Sequence, residues 1–157
     1  MILNNTIRFE MAPENVRKAF RRQQATKKLL HSGHGLYKFT AYPLFRPDGS
    51  VTPFWFSVIP ITPGDTGLAG LQERSVVLTS EESTTARARG AVTRQWNPMT
   101  GLLRARLLAP VYGFIGQCSG QPIDEAPWLS NIFFIGGAWQ LWIPNLGAQT
   151  IAEEARA

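Results

Sequence analysis

The stretch 138–144, AWQLWIP, carries the pattern that decides the fold of this 157-residue chain. It is rich in tryptophan and branched apolar residues, as β-strands are, a Gly-Gly pair precedes it at 136–137, and Pro144 ends it. Successive side chains of a strand point to opposite faces, so Trp139 and Trp142 lie on opposite faces and Gln140 shares a face with Trp142. An amide in such a strand either faces solvent on a half-solvated sheet or makes a specific hydrogen bond.

On the N-terminal side of this strand the chain is a series of short β-like runs separated by glycine and proline. The clearest runs are 36–40 (LYKFT), 52–59 (TPFWFSVI), 75–78 (SVVL), 102–108 (LLRARLL), 111–116 (VYGFIG) and 132–135 (IFFI). Two helices are predicted, over the basic segment 12–31 and from Ser80 to near Trp96, and 68–74 is a candidate for a short additional helix. Together these elements predict one α+β domain over 1–157, with a mostly antiparallel split β-sheet, an N-terminal basic helix and one further helix.

The positive charge is concentrated at the N-terminus. Residues 1–38 hold eight Lys and Arg against Glu10 and Glu14, a net charge of +6, whereas residues 39–157 carry eight cations and nine acids, a net charge of −1. The predicted helix 12–31 therefore has two readings, which the sequence leaves open. It is either a solvated helix laid over the domain or a docking surface for nucleic acid, an acidic partner or nucleotide phosphates.

Composition excludes several classes of protein. A single cysteine rules out a disulfide framework within the chain, and one cysteine with two histidines leaves no set of zinc ligands, so no metal is expected. The sequence has no P-loop, and none of its apolar stretches approaches the roughly 20 residues that span a bilayer. We expect a protein that works in the cytoplasm, or one delivered into a target cytosol by a secretion system that needs no signal peptide.

Few residues are available for catalysis. Cys118 is a nucleophile or, more simply, a small buried residue; His31 and His34 are a ligand pair without a third member or plain loop residues. One combination is harder to explain by packing. It comprises a cation on one strand (Lys38), an aromatic-serine strand (Trp55 to Ser57) and the amide of Gln140 between tryptophans.

Three segments together resemble the ADP-ribosyltransferase-like toxins, and most closely their NAD-hydrolysing tuberculosis necrotizing toxin type. They are 36–40 (LYKFT), 52–57 (TPFWFS) and 136–144 (GGAWQLWIP), and the resemblance covers 35–147. It implies that 35–147 is a β-rich NAD-binding core. The chain departs from the superfamily in two ways: Lys38 stands where Arg or His is usual, and 138–140 contains no acid where the transferases carry a catalytic Glu. The second departure favours NAD hydrolysis over transfer to a protein.

The resemblance also implies a set of roles, with NAD as substrate and no cofactor. Gln140 would hold the ribose hydroxyl as the catalytic residue, and Lys38 would pair with the pyrophosphate. Trp55 or Trp139 would stack on the nicotinamide, and Tyr37 and Ser57 would complete the NAD site. The basic segment would attract phosphates or contact an immunity protein or a delivery partner.

Two alternatives to NAD hydrolysis remain at this point. One is mono-ADP-ribosylation of a macromolecule. The other is a binding module without enzymatic activity, which docks on nucleic acid or a protein through its basic segment; nucleic acid is the less favoured partner, and no membrane is expected.

Overall fold

A seven-stranded antiparallel sheet dominates the computed structural model, which describes residues 1–39, 43–63, 65, 102–119, 121–122, 133–134 and 139–156. The strands are β1 (Thr26–Leu30), β2 (Gly35–Phe39), β3 (Phe54–Ser57), β4 (Leu102–Leu107), β5 (Val111–Gln117), β6 (Gln121–Pro122), β7 (Phe133–Phe134), β8 (Trp139–Trp142) and β9 (Ile151–Arg156). Their order in the sheet is β1-β5-β8-β3-β2-β4-β9, and β6 and β7 form a separate two-stranded sheet. Two halves of the large sheet meet where β2 pairs with β3 at two positions, Leu36 with Ser57 and Tyr37 with Phe56.

The deciding strand, β8, lies inside the sheet between β5 and β3. Leu141 pairs with both Ile115 and Trp55, so these three side chains share one face, which we call the front face. The main core lies there, and segments between the strands cover it with Leu44, Val51 and Leu146.

The opposite, back face is covered by the N-terminal segment, residues 1–25. Phe9 and Phe20 of this segment pack against Phe114 and Trp142 of the sheet. The rings of Phe9 and Phe20 meet edge to face at 5.2 Å between centroids, and those of Phe114 and Trp142 lie 5.4 Å apart. Aromatic pairs in these geometries stabilise packing beyond the area they bury.

The predicted basic helix over 12–31 is wrong. The helix α1 spans Glu14–Lys18 alone, a 3-10 turn follows at Arg21–Gln23, and the rest of the segment is the strand β1. Tertiary pairing overrides helix propensity here, because β1 pairs with β5 along all five of its residues. The alternation of a strand also separates Leu29 from Leu30, which is 1% exposed in the front core.

The predicted strands 36–40, 52–59, 102–108, 111–116, 132–135 and 138–144 are confirmed, with ends that differ from the prediction by at most two residues. The helix 68–74, the strand 75–78 and the helix from Ser80 to near Trp96 lie outside the described residues. Within the residues that are described, no helix is long and apolar enough to cross a membrane.

Gly116 allows the N-terminal segment to approach the sheet. A Cβ at this position would lie 2.5 Å from the carbonyl oxygen of Gln24 and 2.7 Å from the ring of Phe20. We therefore predict that Gly116→Ala destabilises the protein by about 1–3 kcal/mol, because backbone and a buried ring must both move. Gly147 is the matched control: a Cβ there meets nothing within 4 Å, so Gly147→Ala should stay within about 0.5 kcal/mol of wild type. Urea unfolding of the two variants measures the difference, and equal midpoints would contradict the prediction.

Candidate functional site

Four of the six residues predicted for the NAD site share the front face. Ser57 pairs with Leu36, and Lys38 lies two residues further along the same strand, so both project on the side of Trp55. Trp139, two residues before Leu141 on β8, packs against the front core. The antiparallel register thus brings Lys38, Trp55, Ser57 and Trp139 to one face.

Lys38 is a half-buried cation without a carboxylate partner among the described residues. Its Nζ lies over the ring of Trp55, 4.4 Å from the centroid, and donates to Oγ1 of Thr52. Burial, with a smaller contribution from the positive charge of Arg46, lowers the pKa of Lys38 to about 7. Trp55 is 1% exposed, and its Nε1 donates to the carbonyl of Thr52 at 2.9 Å. The indole is therefore enclosed between the core and the lysine.

Ser57 contacts His34, a pair that the sequence did not suggest. Oγ of Ser57 lies 2.6 Å from the carbonyl oxygen of Ile59 and 2.8 Å from Nε2 of His34. Two oxygens at that separation need a proton between them, so Ser57 donates to Ile59 and accepts from Nε2–H of His34. This direction is the reverse of the one that nucleophile activation requires. Burial lowers the pKa of His34, with smaller contributions from His31 and Lys28.

Gln140 and Tyr37 lie on the back face, and the structure does not bring them together with the other four. Gln140 is 7% exposed, and its Nε2 donates to the carbonyl of Ala19 at 2.9 Å. Tyr37, also 7% exposed, stacks on Phe56 at 5.5 Å between ring centroids. The amide of Gln140 thus makes the specific hydrogen bond of the two alternatives that its sequence context allowed.

Trp139 lines a cleft of about 540 Å³ at the front edge of the sheet, where β5 ends and β8 begins. One wall of the cleft is formed by the sheet, where the strand register places the lining residues next to one another: Gln117 pairs with Trp139, and Thr26 pairs with Ile115. The opposite side is the turn that precedes β1. The lining residues are Arg21, Arg22, Gln24, Ala25, Thr26, Ile115, Gly116, Gln117 and Trp139.

The sequence predicted the two arginines of the cleft as part of the basic segment that attracts phosphates or docks a partner, and not as residues of the NAD site. The run 26–30, TKKLL, begins with a β-branched residue, which is the one local feature that favours the strand β1 and hence a turn at the arginines.

The structure gives neither Cys118 nor His31, the other two candidates from the sequence, a catalytic arrangement. Cys118 is 1% exposed, and burial raises the pKa of its thiol to about 12, so it is a packing residue in this structure. His31 is exposed on the loop before β2. Among the described residues, no three His, Cys, Asp or Glu side chains are grouped as metal ligands.

The buried position of Lys38 predicts an unusual alkaline response. The folded protein gives up this proton near pH 7, whereas the unfolded chain keeps it to about pH 10.5, so stability rises with pH between those values. We predict that the free energy of unfolding of the wild type gains ~2 kcal/mol from this group between pH 7 and 9. Lys38→Met, which keeps an unbranched side chain over Trp55, should lack the gain. Urea titrations at pH 6 to 9 test this, and parallel pH curves for the two proteins would refute it. The window stops at pH 9 because the buried Cys118 acts in the opposite sense above it.

Comparison with known proteins connects this fold to a solved structure. No protein-family model matches the sequence, and a search of curated proteins found no match. The structure of Tne2 in complex with Tni2 is similar, with a TM-score of 0.51 and 11% sequence identity, covering 85% of this chain and 91% of that chain. At that identity the similarity is one of fold. The chain therefore shares the fold of Tne2.

Proposed function

We propose that this protein is a toxin-type enzyme that binds NAD in the cleft beside Trp139 and cleaves the bond between nicotinamide and ribose. One observation carries the proposal. Trp139, one of the two tryptophans that the family resemblance implied for the nicotinamide, is half-exposed in the wall of a 540 Å³ cleft that also contains two guanidinium groups. A flat aromatic wall beside cations suits a substrate that combines aromatic rings with a pyrophosphate.

The chemistry fits a chain poor in catalytic side chains. When the glycosidic bond breaks, its electron pair leaves with nicotinamide, and the ribose carbon passes through an oxocarbenium-like state, as in glycoside hydrolysis. Water then adds to that carbon and releases a proton, which gives ADP-ribose and nicotinamide. The protein contributes by orienting the dinucleotide and excluding other geometries, for which no covalent nucleophile is needed.

Lys38, Trp55, Ser57 and Tyr37 do not line the cleft, and they belong to this proposal as groups that support the sheet beside it. Their internal contacts favour a positioning role: the ammonium of Lys38 covers Trp55, and Ser57 bridges His34 and the carbonyl of Ile59. A partner protein that neutralises the toxin also belongs to it. The related structure contains Tne2 in complex with a second protein, Tni2, and an immunity protein is the corresponding partner that we propose here.

Trp139 variants test the proposed activity. We expect purified protein to release nicotinamide from NAD, and Trp139→Ala to lower kcat/KM at least tenfold, since a stacked aromatic contact is worth on the order of 1–3 kcal/mol. Trp139→Phe keeps a ring and should stay within about threefold of wild type. Phe45→Ala, which removes an aromatic that does not line the cleft, is the control. Absence of release by the wild type, or equal activity of Trp139→Ala, would reject the proposal, and labelled ADP-ribose on protein would indicate a transferase instead.

Steady-state kinetics distinguish two roles for Gln140, contact with the ribose and positioning of the cleft. If its amide holds the ribose in the transition state, Gln140→Ala lowers kcat and leaves KM unchanged. We expect the other result, a raised KM with kcat within about threefold, because the hydrogen bond to Ala19 supports a role in positioning the cleft. The fold should survive, since the backbone N–H of Ser119 also donates to the Ala19 carbonyl, at 3.0 Å. A loss of kcat alone would restore the ribose contact that the resemblance implied.

A further inference from the structure

The turn that carries Arg21 and Arg22 has a conformation that costs free energy. Arg22 and Gln23 have φ values of 56° and 52°, two consecutive residues other than glycine in the left-handed region. Such conformations cost on the order of 1–3 kcal/mol each and persist where the surrounding structure imposes them, often at ligand clamps. This strained turn forms one wall of the cleft.

Hydrogen bonds and packing hold the turn on both sides. The N–H of Gln23 donates to the carbonyl of Phe20 at 2.9 Å, and Phe20 itself is 1% exposed. Ahead of the turn, the Ala19 carbonyl accepts from Gln140 and Ser119. The strain is therefore fixed by the fold before any ligand arrives.

A consequence of the strained turn is that two adjacent arginines line the same cleft. None of the residues that line it is acidic, and neither arginine has an ion pair within the described part of the chain. The planar guanidinium group donates two parallel hydrogen bonds to phosphate oxygens, and two such groups match the two phosphates of a diphosphate. The same cleft offers the indole of Trp139 to an aromatic base.

Lys38 is too far along the sheet to share this diphosphate with the arginines. It lies on β2, two strands away from Trp139, which is roughly 10 Å at the usual spacing of strands. Its Nζ is also occupied by Thr52 and the face of Trp55.

We propose that Arg21 and Arg22 are the diphosphate-binding pair of the cleft and that the cleft takes an adenine nucleotide through its two phosphates. Since the nucleotide is the adenosine diphosphate half of NAD, this inference rests on and deepens the proposed function. It replaces Lys38 by the arginines as the partner of the pyrophosphate.

Calorimetric titration of the full chain with ADP tests the assignment. We expect Arg21→Ala and Arg22→Ala each to weaken ADP binding at least tenfold, because each removes a charge-assisted contact. Adenosine, which has no phosphate, should bind the variants and the wild type within about threefold of one another. Lys18→Ala is the matched control, since it removes an exposed cation of the same segment that pairs with Glu14 and does not line the cleft.

Arg22→Gly separates binding from folding. Glycine adopts a φ of 56° without strain, so this variant should keep or raise the melting temperature, by about 2–4 °C, while it loses ADP affinity. Unchanged affinity in Arg22→Gly and Arg21→Ala would overturn the inference, as would a wild type that does not bind ADP at millimolar concentration.

The pH dependence of ADP binding separates the arginines from Lys38. Arginine keeps its charge throughout while the terminal phosphate of ADP completes its ionisation, so affinity should not fall between pH 6.5 and 8.5; a lysine whose pKa lies near 7 would lose its charge over that range. Affinity that falls with pH in the wild type and is flat in Lys38→Met would overturn the assignment in favour of Lys38.

Two results separate this inference from the proposed function. If the protein binds ADP through the arginines but releases no nicotinamide, the inference stands and the hydrolase is rejected. If it releases nicotinamide with unchanged kcat/KM in both arginine variants, the hydrolase stands and the inference is rejected.

Discussion

The close approach of the N-terminal segment to β5 at Gly116 is the constraint on which the rest of this structure depends. The ring of Phe20 and the carbonyl of Gln24 occupy the space where a side chain of residue 116 would be. With no Cβ in the way, Phe20 enters the aromatic cluster of the back face, and the chain passes round the end of β5 to begin β1. The absence of a side chain at Gly116 therefore determines both how the N-terminal segment covers the back face and where the chain turns at the edge of the front face.

That coupling explains how the positive charge of the N-terminus is distributed. Several of its cations bind backbone carbonyls: Nζ of Lys27 donates to Asn5 and Ile7, and Nζ of Lys28 donates to Ile61. Lys18 forms an ion pair with Glu14. The net charge of this part of the chain therefore says little about a partner, because much of it supports the fold. What distinguishes Arg21 and Arg22 is their position on a strained turn above a cleft.

The sheet was predictable from sequence because its strands satisfy a local rule. The tryptophans and branched apolar residues of 138–144 predict β8 and hence the division of its side chains between two faces, which the pairing of Leu141 with Ile115 and Trp55 confirms. The strand β1, in the N-terminal part of the chain, was not predictable in the same way. Residues 26–30 favour helix by composition, and their pairing with β5, some 85 residues later, is a tertiary interaction that no local pattern expresses.

The candidate site shows even more clearly that a local sequence pattern does not reveal tertiary contacts. Sequence could place Trp139 and Gln140 on opposite faces of one strand, but whether a face is lined by ligand or by protein depends on what packs against it. Gln140 meets the carbonyl of Ala19, 121 residues away, and Trp139 meets the open side of a turn. Trp139 therefore forms part of the wall of the cleft on the front face, and Gln140, on the back face, anchors the segment that closes the cleft. Under the proposed function, an amide that fixes the arginines in this way influences how NAD is held without touching it, which is the kind of contribution expected where catalysis depends on orienting the substrate.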